Sequence, residues 1–274
     1  MQHLAALTLV IVDVVARGAR IRVLLPMSLG RAITVNTCGD ALAAVTPARL
    51  GGDPLRFVAF QRAGATAPAV LAALATEVMV DAILIVAIVL GLTPVFAGAG
   101  RAWWERLMQL AAAPGGRRAT FAILAALGLG GLVALRLRRR WPERLVHGAR
   151  DAWRILTHRP PGSLLRVAGL TIVSMVARSA ILPALAAGVA GVSALRLLAG
   201  SFVLNVAQTV VPIPAGLGAV DLGFAAWFTG TLGARDLVRL LVLWRLYSIV
   251  LGALAGGLLL AMPSGNRAAL AEAS

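Results

Sequence analysis

Apolar residues fill long uninterrupted windows of this chain, and the polar positions collect between the windows instead of alternating within them. Pro68 to Leu92, Ala119 to Leu135, Val167 to Leu195 and Leu240 to Met262 carry at most two charges each. Crossing a hydrocarbon core of roughly 30 Å takes about 20 such residues, so each window is predicted to be a spanning helix. Leu197 to Ala234 holds one charge, Asp221, but is cut by Pro212, Pro214, Gly216 and Gly218. It reads as two half-helices around a break, because proline removes a donor and glycine permits backbone that other residues resist. The N-terminal run Gln2 to Ala16 is short for a span and contains Asp13. It reads as the remnant of a longer N-terminal region, and not as a secretory signal, since no basic segment precedes it.

Composition agrees with a membrane solvent: 59% of residues are hydrophobic and 14% charged, and the mean hydropathy is +0.88. The net charge of +15 is carried by 26 basic residues, all of them arginine. Nine fall between Arg136 and Arg166, in a hydrophilic connection between two spans. That is the signature of a cytoplasmic loop under the positive-inside rule, with anionic lipid headgroups as its natural contact. A nucleic-acid partner is excluded, since that stretch interleaves only Trp141 and Trp153 with its arginines. Cys38 stands alone and His3, His147 and His158 lack ligand spacing, so no disulfide, metal or cofactor is expected.

With Arg136 to Arg166 inside, Ala119 to Leu135 runs inward, Thr93 to Arg118 lies outside, and Pro68 to Leu92 runs outward. The segment carrying Arg49, Arg56 and Arg62 is then inside, and Val167 to Leu195 carries the second half to the opposite face. Two breaks match across 167 residues: Pro47-Ala48-Arg49-Leu50-Gly51-Gly52-Asp53 and Pro214-Ala215-Gly216-Leu217-Gly218-Ala219-Val220-Asp221. The expected fold is therefore all-α, a polytopic helical membrane protein with two inverted repeats, each carrying a broken or re-entrant helix pair. Repeat 1 covers 10–92, a connecting region with the Arg-rich loop covers 93–171, and repeat 2 covers 172–262. A helix should start after each break, near Asp53 and near Asp221, with the acid capping it.

Glu77 and Asp81, four apart, share one face in the middle of an apolar helix. Arg178 and Arg245 also lie within spans. Ionisable groups there cost about 2.5 to 3.5 kcal/mol on insertion scales and face an interior partner or a wet cavity. Two readings stand: these four residues line a polar path for a charged headgroup, or they form internal salt bridges, such as Glu77 with Arg245, that fix helix register. Asp13 and Arg17 form another four-spaced pair, Asp40 precedes the first break, and Asn36, Asn205 and Gln208 add neutral polar groups. Trp103, Trp104 and Trp227 read as interface anchors.

At these residues the chain resembles the flippase-like family, also described as the lysylphosphatidylglycerol synthase transmembrane region. Thr46 to Arg56 is similar to its TPGRxGE…R signature and Pro212 to Asp221 to its PIPGGLGxxE signature. Glu77 with Asp81 matches an ER..D element, and Trp244-Arg245 a YR element. Asp53 and Asp221 stand where Glu is usual, Ala215 replaces a glycine, and Val78 stands where Arg is usual. The resemblance implies multi-span proteins of the bacterial inner membrane that move or expose lipids. It also implies an N-terminal span more than this chain shows, while the soluble aminoacyltransferase domain of fused members has no room after Met262.

The leading expectation is thus a non-enzymatic protein that translocates or scrambles a polar lipid. Glu77, Asp81, Arg178, Arg245, Arg49 and Asp53 would form the substrate path, with Pro214, Gly216, Gly218 and Asp221 at the second break. No nucleotide-binding loop is present. The alternatives are a membrane-embedded enzyme on lipid phosphates or polyprenyl-linked sugars, an ion-coupled solute transporter, and an accessory subunit that partners lipid- or envelope-synthesis enzymes.

Overall fold

The computed structural model describes residues 1–91, 143–189, 191–211 and 213–262. Among them the chain is helical and contains no strand. The expected span Ala119 to Leu135, the first part of the Arg-rich loop, Trp103 and Trp104 lie outside the described residues.

Helix α1 runs Gln2–Leu24, 23 residues without interruption. The short N-terminal run of the sequence reading is therefore only the first part of a full-length helix. Its continuation holds Arg17, Arg20 and Arg22, which lower the hydropathy of the window. Arg17 and Arg20 stay in the helix because acids neutralise them inside the protein. Helix α2, Leu29–Val45, starts at Ser28, whose Oγ accepts from the Arg31 amide at 3.3 Å. A one-turn 3-10 segment, Pro47–Arg49, forms the first break. Helix α3, Gly52–Arg62, and the long apolar α4, Ala67–Gly91, follow it.

Beyond α5, Glu143–Thr157, the same succession of elements recurs. Helix α6 covers Pro161–Leu185, opening on proline where a missing donor costs nothing. It begins earlier than the window Val167 to Leu195, at Pro161, and ends earlier, where Gly188 and Gly191 take left-handed backbone and turn the chain. Helix α7, Ala194–Val210, is capped by Ser193, whose Oγ accepts from the Arg196 amide at 3.2 Å. A second 3-10 turn, Pro214–Gly216, precedes α8, Ala219–Phe228. The last span combines α9, Ala234–Arg245, a π turn, Leu246–Val250, and α10, Leu251–Ala261. Helix α4, helix α6 and Ala234–Ala261 are each long and apolar enough to cross a membrane.

Helices α1 and α6 pack against each other along their lengths. They run antiparallel: Ala6 shares an apolar cluster with Ile181, Leu182 and Leu185, whereas Ile21 and Leu24 share another with Val167. The first cluster is built on Phe224, Phe228 and Trp244. Trp227 belongs to it as well and is 4% exposed, so it is a core residue and not an interface anchor. Between the two clusters lies a polar layer.

Candidate functional site

The layer begins with α1. Asp13, Arg17 and Arg20 are spaced four and three apart, which puts them on one face of a helix. That face meets α2, α4 and α6. Arg20 Nε donates to Glu77 Oε1 at 2.6 Å, and its Nη1 donates to Asp81 Oδ1 at 2.6 Å and to Thr171 Oγ1 at 3.0 Å. Glu77, 2% exposed, also accepts from Arg56 Nη2. Arg56 in turn reaches Asp53 at 3.1 Å. Asp13 accepts from Ser174 Oγ at 2.5 Å and from Arg178 Nη2 at 3.0 Å, with Arg17 Nε at 3.3 Å. Asp40 pairs with Arg17 at 2.8 Å and with Arg49 at 3.3 Å.

These groups surround a cleft of about 560 Å³ lined by Arg17, Arg20, Arg49 and Arg56 together with Asp40, Asp53, Glu77 and Asp81. Asn36 and Thr209 add neutral polar groups, and Leu50, Val78 and Ile85 form apolar walls. A smaller adjoining cavity of about 150 Å³ shares Arg17, Arg20 and Asp81 with it and adds Thr171, Ser174 and Arg178. Helix α4 shows why one helix can serve both solvents. Leu74, Glu77, Val78, Asp81, Ala82 and Ile85 face the cleft, whereas Met79, Ile83, Val86 and Leu90 are exposed on the other side. A charge in the first stripe finds a partner; in the second it would meet hydrocarbon.

A second cluster holds the other break. Arg245 Nε donates to Asp221 Oδ1 at 2.7 Å, and its Nη1 donates to the Ala215 carbonyl at 2.7 Å. The Gly216 carbonyl accepts from Nη2 at 3.4 Å. Asp221 Oδ2 accepts from the Gly218 amide at 2.8 Å, which caps α8. Ala215, Gly216 and Gly218 all have positive φ, and a Cβ on Gly216 would lie 2.5 Å from Val220 Cγ2. A single arginine therefore ties the carbonyls of the positive-φ turn at Ala215 and Gly216 to the acid that starts the next helix. Unsatisfied carbonyls at membrane depth demand such a partner.

Several sequence readings change here. Glu77 does not pair with Arg245: each has nearer partners, Arg20 and Arg56 for the first and Asp221 for the second. Asp53 sits in the first turn of α3, but its partner is Arg56. At that break Thr46 Oγ1 takes the Gly51 amide at 2.9 Å instead. Glu77, Asp81, Arg49 and Asp53 share one cleft, Arg178 lines the cavity beside it, and Pro214, Gly216, Gly218, Asp221 and Arg245 lie together outside the cleft lining. The two breaks touch each other, α2 touching the second and α7 the first. Arg20 is the residue the sequence reading missed, although its spacing from Asp13 and Arg17 was the available signal. Among the described residues no group of His, Cys, Asp and Glu is arranged to hold a metal ion.

The family model described as Lysylphosphatidylglycerol synthase TM region matches residues 2–256. Neither the curated proteins nor the solved structures include a match to the chain.

Proposed function

The chain belongs to the lysylphosphatidylglycerol synthase transmembrane-region family, and from that premise we propose that it moves a polar lipid between the leaflets of a bacterial inner membrane. The headgroup travels through the charged cleft while the acyl tails stay in hydrocarbon. The observation that carries this reading is the cleft itself, about 560 Å³ in volume, set halfway along membrane-length helices and lined by four arginines and four acids. Charges so placed keep polar surface available to a passing headgroup. The wall residues Leu50 and Val78, 71% and 60% exposed, offer the tails an apolar side.

An inverted repeat is part of this proposal. We set its halves at 2–91 and 161–261, wider than the 10–92 and 172–262 read from the sequence, since successive elements there measure 23, 17, 3, 11 and 25 residues against 25, 17, 3, 10 and 28. The antiparallel packing of the matching helices α1 and α6 supports opposite orientation. Two such halves can tilt about their shared breaks, which gives alternating access without a nucleotide. A catalytic role is disfavoured because Glu77, the most buried acid of the cleft, has each carboxylate oxygen paired with a guanidinium group. Helix α5, with Arg150, Trp153 and Arg154 exposed, is assigned to anionic headgroups on the cytoplasmic surface. Lipid- or envelope-synthesis enzymes are the fitting partners.

The test is reconstitution of the purified protein into liposomes with phospholipid labelled on its acyl chain, read by the fraction of label reduced by an impermeant agent. Protein-dependent loss beyond the outer leaflet is expected. A reduced fraction equal to that of empty liposomes refutes translocation.

A further inference from the structure

The acids around the cleft are held in different ways, and Asp81 is the one left open. Glu77 has a guanidinium on each carboxylate oxygen. Asp13 uses Oδ1 for Ser174 and Oδ2 for Arg17 and Arg178. Asp40 meets Arg17 with both oxygens and shares Oδ1 with Arg49. Asp53, with a side chain 61% exposed, is a solvated partner of Arg56. Asp81 accepts from Arg20 Nη1 on Oδ1 at 2.6 Å, whereas its Oδ2 has no partner among the described residues.

Position supplies a second, independent observation. Asp81 lines both the cleft of about 560 Å³ and the adjoining cavity of about 150 Å³, and among the described residues it is the only acid that does. Each space exceeds the roughly 10 to 15 Å³ that one water needs, so the same carboxylate meets water from two sides. The charged groups around it in these spaces are Glu77 on its own helix, Arg17 and Arg20 on α1, Asp53 and Arg56 on α3, Arg178 on α6, and Asp40 and Arg49 at α2 and the first break. Helix α7 contributes only neutral polar groups, Asn205 and Thr209, and α5, also packed on α4, adds no described residue to either lining. A bound metal cation needs several oxygens around it, and no such group gathers among the described residues. A proton needs only the open lone pair of Oδ2, and carboxylates inside spans commonly mark proton pathways.

We propose that Asp81 binds and releases a proton in each transport cycle, so that a proton gradient drives the lipid. This rests on the lipid-translocation reading and names its energy source. Protonation forms an O–H bond on Oδ2 with a proton taken from water in one cavity. The bond that weakens is the charge-assisted one from Arg20 Nη1, roughly twice as strong as its neutral counterpart. Arg20 stays charged, keeps Glu77 and Thr171, and gains a donor for an oxygen of the headgroup. Release of the proton into water of the other cavity restores the pair of Arg20 with Asp81 and displaces the headgroup. Proton and headgroup therefore favour each other's binding, by the reciprocity of linked equilibria, and both move in the same direction.

The full-length protein is reconstituted into phosphatidylcholine liposomes carrying a trace of acyl-labelled phosphatidylglycerol, with empty liposomes as the baseline, and the outer pH is set one unit below the inner. An impermeant reductant then reads the label in each leaflet. Label should gather in the inner leaflet, on the alkaline side, by up to about tenfold, the limit for one proton per lipid, and a protonophore should abolish the asymmetry. D81N should lose the response, and D81E, which keeps a carboxyl, should retain part of it. Infrared difference spectra between neutral and acid buffer give a reading without transport: the carbonyl stretch of a protonated carboxyl should be smaller by one group in D81N than in the wild type. An unchanged leaflet ratio under the gradient, accumulation on the acid side, an undiminished response in D81N, or identical infrared spectra overturns the proposal. If D81N fails to fold, the wild-type response with and without the protonophore decides. Lipid that moves without regard to the gradient sinks only this inference; a protein that moves no lipid but loses the carboxyl band in D81N keeps the proton site and sinks the translocation reading.

Discussion

Replacing Arg20 by glutamine removes the hub of the charged layer, and the cost follows from what is left behind. Glu77 keeps Arg56 but loses a bond of 2.6 Å, and Asp81 loses its partner at 2.6 Å. A hydrogen bond to a charged group is worth about 1.5 to 3 kcal/mol. The side chain of Asp81 is 35% exposed, so water relieves part of its loss and its share is the smaller one. Together the two give about 3 to 5 kcal/mol, the range for breaking one side of a buried ion pair. Reversible unfolding in mixed micelles with rising dodecyl sulfate measures it, followed by the fluorescence of the buried Trp227 and Trp244. The double variant R20Q/E77Q removes both ends of the Arg20–Glu77 pair, whose loss each single variant already includes. It should therefore be more stable than the sum of the two single losses predicts, by about 1 kcal/mol or more. A loss below about 1 kcal/mol in R20Q, or strict additivity in the double variant, refutes the assignment of Arg20 as the buried hub.

Two other substitutions probe the frame around the cleft. R245Q should free the Ala215 and Gly216 carbonyls and the Asp221 cap, so hydrogen exchange should accelerate across 213–221 while α1 stays protected; unchanged exchange there contradicts the role given to Arg245. G256A should cost about 1 to 3 kcal/mol in the same dodecyl sulfate titration, because its Cβ would meet the Thr37 carbonyl at 2.0 Å, a backbone atom that cannot step aside. Wild-type stability in G256A contradicts the close crossing of α2 and α10.

The sequence made some elements plain and hid others for physical reasons. Helix α4 was legible because nothing interrupts its apolar face except Glu77 and Asp81, and the second break was legible because Pro214, Gly216 and Gly218 act locally. Helix α1 was not. A hydropathy window treats Arg17 and Arg20 as water-seeking and cannot register that Asp40 and Glu77, distant in sequence, join the neighbouring Asp13 in neutralising them. The pairing of Glu77 with Arg245 failed for a related reason. In the sequence both residues follow a break, but a charge pairs with what its own surroundings supply. For Arg245 these are Asp221 and two carbonyls of the turn, and for Glu77 they are arginines from α1 and α3. Trp227 looked like an interface anchor because a lone tryptophan near a helix end usually is one. Its burial depends on Phe224, Phe228 and Trp244 converging beside it.

The central claim, a hydrated polar space inside the bilayer, is tested most directly by thiol labelling of α4. Single cysteines are placed at Ala82, in the cleft lining, and at Ile83, exposed on the opposite side, in a Cys38→Ala background. A small membrane-impermeant thiol reagent is then applied to the protein in liposomes. Labelling at position 82 with little at 83 is the result the structure predicts. Equal labelling at both positions, or none at 82, contradicts it.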